Sequence, residues 1–115
     1  MKLVERKEYL DLLKESVQTP DIKVITGIRR SGKSKLMETF IEYVKNSVKN
    51  ANIIHINFND ISFENLTEYH ALNSYVQEKF DLNCENFLFI DEIQLCEGFE
   101  KTINSLHDSE KFHIY

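Results

Sequence analysis

Apolar positions recur along this chain with two periods, and blocks of the two periods alternate. Over residues 3–17, Leu10, Leu13 and Val17 fall at i, i+3 and i+7 with charges between them, which predicts an amphipathic helix. Thr19, Pro20 and Asp21 break it. DIKVIT is then a short β-rich run that ends at Gly27. Beyond the segment GIRRSGKS (residues 27–34), Met37, Phe40, Ile41, Val44 and Val48 return at helical spacing, and polar residues over 46–52 close that helix. IIHINF (53–58) predicts a second strand, ended by Asn59 and Asp60. Residues 66–80 predict a helix with Leu66, Tyr69, Leu72, Val76 and Phe80 on its apolar face.

The stretch 81–86 is polar and turn-like, and FLFI (87–90) is a continuous apolar run of the kind found in a strand buried on both faces. Asp91 and Glu92 end it. After Gly98 a short helix carries Phe99, Ile103 and Leu106, Asp108 to Glu110 break it, and FHIY begins a fourth strand. Strands separated by helices of this length imply βαβ units: an α/β fold, with a parallel sheet and helices on both faces.

Composition narrows the class. The chain has 115 residues, 42% hydrophobic and 29% charged, with a single proline and no low-complexity tract, so one globular domain without a linker is expected. The formal net charge of −5 gives no indication of nucleic acid as the main partner. No stretch approaches membrane-spanning length, and the amphipathic N-terminus lacks the apolar core of a signal peptide, so a cytoplasmic location is expected. Cys84 and Cys96 lie twelve residues apart without metal-ligand spacing and read as buried or half-buried thiols. The four histidines show no ligand spacing, and nothing in the sequence marks any of them as a ligand or base.

GIRRSGKS fits G-x-x-x-x-G-K-[ST] at every fixed position. By composition alone roughly one unrelated chain of this length in several hundred would do so, so the preceding strand and following helix carry much of the weight. The competing reading is a basic turn before a helix. In the phosphate-loop reading, Gly27 lets the backbone leave the strand sharply and Gly32 lets the loop wrap closely round an oxyanion. Loop amides across Arg30, Ser31, Gly32, Lys33, Ser34 and Lys35 form an anion nest, aided by the positive end of the helix. Lys33 reaches the β- and γ-phosphates, the Ser34 hydroxyl ligates Mg2+, and the Lys35 side chain points to solvent.

FLFIDEIQ supplies a complement. In an open α/β sheet, ligands bind at the C-terminal ends of the strands. Asp91 there suits Mg2+, directly or through water, and Glu92 suits deprotonation of a water for in-line attack on the γ-phosphate. A strand-end carboxylate alone is equally a cap or a solvated turn. Asp60 has two readings, help with Mg2+ or water, and a turn role. Gln94 senses nucleotide or a partner, or caps the turn. Arg29 and Arg30 are two of the chain's three arginines; they are either solvated or a source of charge near the phosphates. Tyr9, Tyr43, Tyr69 and Tyr75 read as core or face residues.

Together, GIRRSGKS and FLFIDEIQ resemble the AAA-type ATPases of the P-loop superfamily, and most of all prokaryotic ATP-binding proteins with a GxRRxGKS/T loop and an L/FIDEIQ strand end. The resemblance covers nearly the whole chain. It implies ATP and Mg2+ as cofactors, and a sheet in which the FHIY strand lies between the first and third strands. It further implies a polar sensor residue at the end of that strand, an arginine finger from a neighbouring subunit and a C-terminal domain. The chain stops at Tyr115, so residues 1–115 are expected to be the N-terminal part of such a domain, truncated in the fourth strand, with hydrolysis impaired. An open sheet edge is expected to promote self-association. Two other functions stay open from the sequence: a nucleotide-gated interaction module without significant turnover, and a small P-loop kinase.

Overall fold

The structure, a computed structural model, describes Asp11, Lys14, Ile22, Lys23 and residues 30–115, with residues 30–34 described by their backbone alone. Most of the predicted first helix, most of DIKVIT, and Gly27 and Arg29 lie outside the described residues. Asp11 and Lys14 are helical, and the Lys14 ammonium stands 4.9 Å from the centre of the Tyr43 ring.

The described elements alternate helix and strand. Helix α1 is Arg30–Ser47, strand β1 Ala51–Asn57, helix α2 Tyr69–Lys79, strand β2 Glu85–Asp91, helix α3 Phe99–Asp108 and strand β3 Phe112–Ile114. Two 3-10 turns, Ile61–Leu66 and Ile93–Leu95, follow β1 and β2. The first takes Leu66, with which the predicted helix over 66–80 would have begun. Asp60 caps it by accepting from the Ser62 backbone and hydroxyl at 2.9 and 2.8 Å. Glu68 then caps α2, accepting from the His70 and Ala71 amides, so the helix starts at Tyr69. Here local side-chain caps override apolar spacing.

All strand pairs are parallel. β1 pairs β2 from Ala51↔Glu85 to Asn57↔Asp91, and β2 pairs β3 from Asn86↔Phe112 to Leu88↔Ile114. Ile22 forms a parallel bridge to Ile114, and the Lys23 amide donates to the Ile114 carbonyl at 2.9 Å. β3 therefore lies between β2 and the segment at Ile22, as the resemblance implied. Tyr115 continues the ladder by donating to Leu88 at 2.8 Å and accepting from Ile90 at 3.0 Å.

Strand alternation sorts the apolar residues into two cores. On one face Ile54, Ile56, Leu88, Ile90, Phe112 and Ile114 pack with Leu72 and Val76 of α2 and Ile103 and Leu106 of α3. On the other, Phe87, Phe89 and Tyr115 meet Leu36, Met37, Phe40, Ile41 and Val44 of α1. Phe40 is central there, with its ring 4.9 Å from Tyr115 and 5.9 Å from Phe89, both edge-on. Each such side chain contributes about 1.5–3 kcal/mol by leaving water. β2 is buried on both faces, which is why FLFI shows no alternation.

At the N-terminal end of the sheet, Asn86 is 3% exposed. Its Oδ1 accepts from Asn52 Nδ2 at 2.7 Å and from the Asp81 amide at 3.0 Å. Its Nδ2 donates to the carbonyls of Asp81 and Cys84 at 2.9 and 3.1 Å. This residue looks like part of a turn in the sequence, yet it is a strand residue whose amide closes the turn from within. Nearby, Cys84 is half-buried, and Cys96 is buried beneath the opposite rim; both are free thiols, as their spacing suggested.

Candidate functional site at the C-terminal rim of the sheet

Helix α1 has 18 residues and so is about 27 Å long. The seven-residue strands span about 23 Å. The α1 helix ends at Ser47 and β1 begins at Ala51, so its C-terminus sits at the N-terminal end of the sheet. Packed along the face through Leu36 to Val44, α1 delivers its N-terminus to the C-terminal rim. That N-terminus is RSGKS: Arg30, Ser31, Gly32, Lys33 and Ser34 already have helical backbone. The second half of the motif is therefore the opening of the helix, where unpaired amides and the helix dipole favour an anion. The Lys35 side chain is exposed, as expected.

Asp91 is the last residue of β2 and is only 5% exposed. Strand alternation puts it on the face of Phe87 and Phe89, which is the face that α1 covers. It stands opposite Asn57 in the ladder, and the Phe58 amide donates to its carbonyl at 3.1 Å. Thus the described part of the first motif, the backbone of residues 30–34, and Asp91 lie toward one rim and on one side of the sheet.

Glu92 breaks the strand. Its backbone is left-handed (φ 60°, ψ 47°) and it serves as N-cap of the 3-10 turn Ile93–Leu95. A residue with a β-carbon adopts this region at a cost of about 1–2 kcal/mol, and such outliers concentrate at functional sites. The turn is closed by Leu95 donating to the Glu92 carbonyl at 3.1 Å and Cys96 to that of Ile93 at 2.9 Å. The Gln94 amide Nε2 donates to Glu92 Oε1 at 2.5 Å.

His55 was not singled out by the sequence, yet it belongs to this neighbourhood. It shares a sheet face with Asn57, lies opposite Phe89 in register, and sets its ring edge-on to Phe89 at 6.5 Å. His55 remains an exposed residue, but partial burial of its ring pulls the imidazole below its ordinary value of 6.5, the Asp91 and Glu38 carboxylates oppose the shift, and Lys45 adds to it. The alternation in IIHINF, read with the register to FLFID, is the signal that would have found it.

Asp60 takes the turn role. Hydrogen bonds from the Ser62 amide and hydroxyl hold its carboxyl below the ordinary carboxylate value. Tyr43 stacks on Phe40 at 6.1 Å, and Tyr75 meets Phe63 edge-on at 6.0 Å, so these two are face residues as expected. Among the described residues, no group of three or more His, Cys, Asp and Glu side chains is placed to hold a metal ion.

A parallel sheet flanked by helices on both faces, with a buried carboxylate at a strand end on the side of a helix opening with RSGKS, is of the P-loop NTPase-like class. A family model described as an AAA domain matches residues 19–115, and the chain belongs to that family. The family suggests an ATPase-like fold that binds nucleotide. The chain is similar to an uncharacterized protein of Haemophilus influenzae, with 35% identity over 109 residues, 93% of this chain and 27% of the relative. It is also similar to the uncharacterized protein MJ1544 of Methanocaldococcus jannaschii, with 33% identity over 94 residues, 82% of this chain and 20% of the relative. The chain thus spans about a quarter or less of the length of these curated relatives. No solved structure matches it.

Proposed function

We propose that this chain carries the nucleotide site of a Mg2+-dependent ATPase in which water attacks the γ-phosphate. The observation that carries the reading is the buried Asp91 carboxylate at the end of β2, on the sheet face covered by the helix that opens with Gly32, Lys33 and Ser34. A wholly structural carboxylate would be expected at an exposed cap, as Asp60 is.

In this reading Gly27 and the amides of Arg30, Ser31, Gly32, Lys33, Ser34 and Lys35 hold the phosphates, with the Lys33 ammonium on the β- and γ-phosphate oxygens. The donor set fits Mg2+: one hydroxyl (Ser34), one carboxylate (Asp91) and phosphate oxygens are all hard oxygen ligands, and this metal takes few protein ligands when phosphates supply the rest. When bound, the ion neutralises charge on the phosphate oxygens. Glu92, at the same strand end, orients the attacking water and accepts its proton. No helix among the described residues is long and apolar enough to cross a membrane, and a cytoplasmic location belongs to the proposal.

Lys33→Ala tests the reading. Affinity for ATP·Mg2+ in equilibrium titration should fall by about 100-fold or more, since a charged group on the phosphates contributes several kcal/mol in a water-poor site. Unchanged affinity sinks the assignment. Self-association through an exposed sheet edge is part of the same proposal; a single monomeric species in sedimentation at high concentration would count against it.

A further inference from the structure

Strand β1 is an edge of the described sheet, and its outer side can be read residue by residue. In a parallel ladder the N–H and C=O of one residue point to one side of the strand, and those of the next residue to the other. At the ends of β1 the Asn50 carbonyl accepts from the Glu85 amide at 3.0 Å, and the Phe58 amide donates to the Asp91 carbonyl at 3.1 Å. Even-numbered residues of β1 therefore address β2. The same alternation holds within β2, where Leu88 and Ile90 address Tyr115 on the opposite side. Ala51, Ile53, His55 and Asn57 thus aim their backbone groups outward, and among the described residues no strand pairs with them. The Asn57 carbonyl is spent locally, accepting from the Asp60 amide at 2.9 Å. The N–H and C=O of Ile53 and His55 have no such use among the described residues, and His55 is exposed. Protein edges are commonly guarded by proline, lysine, a bulge or short length. ANIIHIN runs seven residues in unbroken register, without proline or charge.

From this edge we infer that β1 is a homodimer interface: β1 of a second copy pairs with it antiparallel, and the two sheets join into one. The inference names the edge through which the self-association proposed above acts, and it rests on that reading. A dyad through Ile54 is the one register that engages all four outward residues, with Ile53 opposite His55 and Ala51 opposite Asn57 of the second copy. The flank of α1 favours a second copy in this orientation. Glu38, Glu42 and Lys45 recur at i, i+4 and i+7 on its exposed side. The Glu38 and Lys45 charges both act on His55, so this flank lies beside β1. Because α1 runs opposite to β1, Glu38 stands toward the C-terminal rim and Lys45 toward the other end of the sheet. Antiparallel pairing sets the rim end of one copy beside the far end of the other, so Glu38 faces the opposite charge of Lys45. Parallel pairing would set like on like. Exposed ion pairs carry little energy, so the charges select the orientation and the backbone bonds of the neutral strand hold it. A strand of another protein would find the same backbone groups but has no such match built in.

The test is made on the intact protein, by sedimentation and by amide hydrogen exchange at low and high concentration. A dimer is expected, and exchange at Ile53 and His55 should slow about ten-fold or more as it forms. The Ile54 and Ile56 amides, bonded to β2, should be protected at both concentrations. Ile53→Pro removes an outward N–H and leaves the ladder to β2 its own donors; it should weaken the dimer about 100-fold. His55→Lys alters only an exposed side chain, serves where proline disturbs folding, and should weaken the dimer about ten-fold. If a dimer forms while Ile53 and His55 exchange as fast as in the monomer, association runs through another surface: the β1 interface is overturned and self-association stands. A dimer that neither variant weakens has the same meaning. Slow exchange at Ile53 and His55 in the monomer also overturns the inference, since the edge is then already covered. A monomer at high concentration removes both the interface and self-association.

Discussion

The two ends of the parallel sheet spend their polar groups differently. At the N-terminal end, the Asn86 side chain is turned wholly to internal use: four hydrogen bonds bind it to Asn52, Asp81 and Cys84 and shut the turn that leads into β2. At the C-terminal rim, the carboxyl groups of Asp91 and Glu92 end β2 on the side of the sheet that α1 covers or beside it, one of them on a left-handed backbone, and the exposed Leu95 follows three residues on. The first arrangement lowers the energy of the fold. The second tolerates strain and carboxylates where, in the proposed reading, the start of α1 holds an anion. Stability and binding should therefore separate along the strand direction of a single seven-residue β2.

That contrast can be broken by substitution. The largest effect expected is at the rim, where Lys33→Ala should remove nucleotide binding and leave thermal unfolding without nucleotide nearly unchanged. A large fall in Tm would erase the distinction. Asn86→Ala should do the reverse. It removes part-buried bonds to the Asp81 amide and to the Asp81 and Cys84 carbonyls, a loss of about 1–3 kcal/mol, with ATP affinity per folded molecule unaltered. Denaturant unfolding and titration on the same sample would read both.

A smaller effect is expected at Gly98, where the chain returns from the rim to the core. Gly98 has φ 73°, and an added β-carbon would lie 2.6 Å from Cδ1 of the Tyr69 ring. Gly98→Ala should cost about 1–2 kcal/mol for the backbone alone, with some further loss as the ring shifts. Its effect on nucleotide affinity should be slight. A stability loss below the uncertainty of denaturant unfolding would mean that the ring gives way freely.

Much of this was legible from periodicity. The burial of β2 on both faces follows from FLFI, and α1 from the spacing of Met37 to Val48, because apolar burial decides both. The position of β3 between its neighbours needed the family resemblance, since local patterns carry no strand order. Three features escaped. The turn Ile61–Leu66 and the late start of α2 at Tyr69 arise because Asp60 and Glu68 respectively cap backbone amides that spacing arguments ignore. Asn86 reads as loop because a polar residue before an apolar run looks like punctuation; only the fold shows its carbonyl and amide groups both matched. His55 gained its neighbours Phe89 and Asp91 through strand register, which one strand's sequence does not contain. For the site itself, the residue types were plain in GIRRSGKS and DEIQ, but the Gln94 to Glu92 contact depends on the left-handed turn.

The bridge between Ile22 and Ile114 also bears on how the molecule comes into being. A segment made early in synthesis finds its sheet partner only once residues near 114 have left the ribosome. Until then β1 and β2 can pair locally across α2, but β3 and the early segment cannot complete the sheet. Such distant pairing bears the entropy of closing a long loop before any contact rewards it. Folding rate should thus be limited by this long-range closure, and until it occurs the sheet holds an unfinished edge.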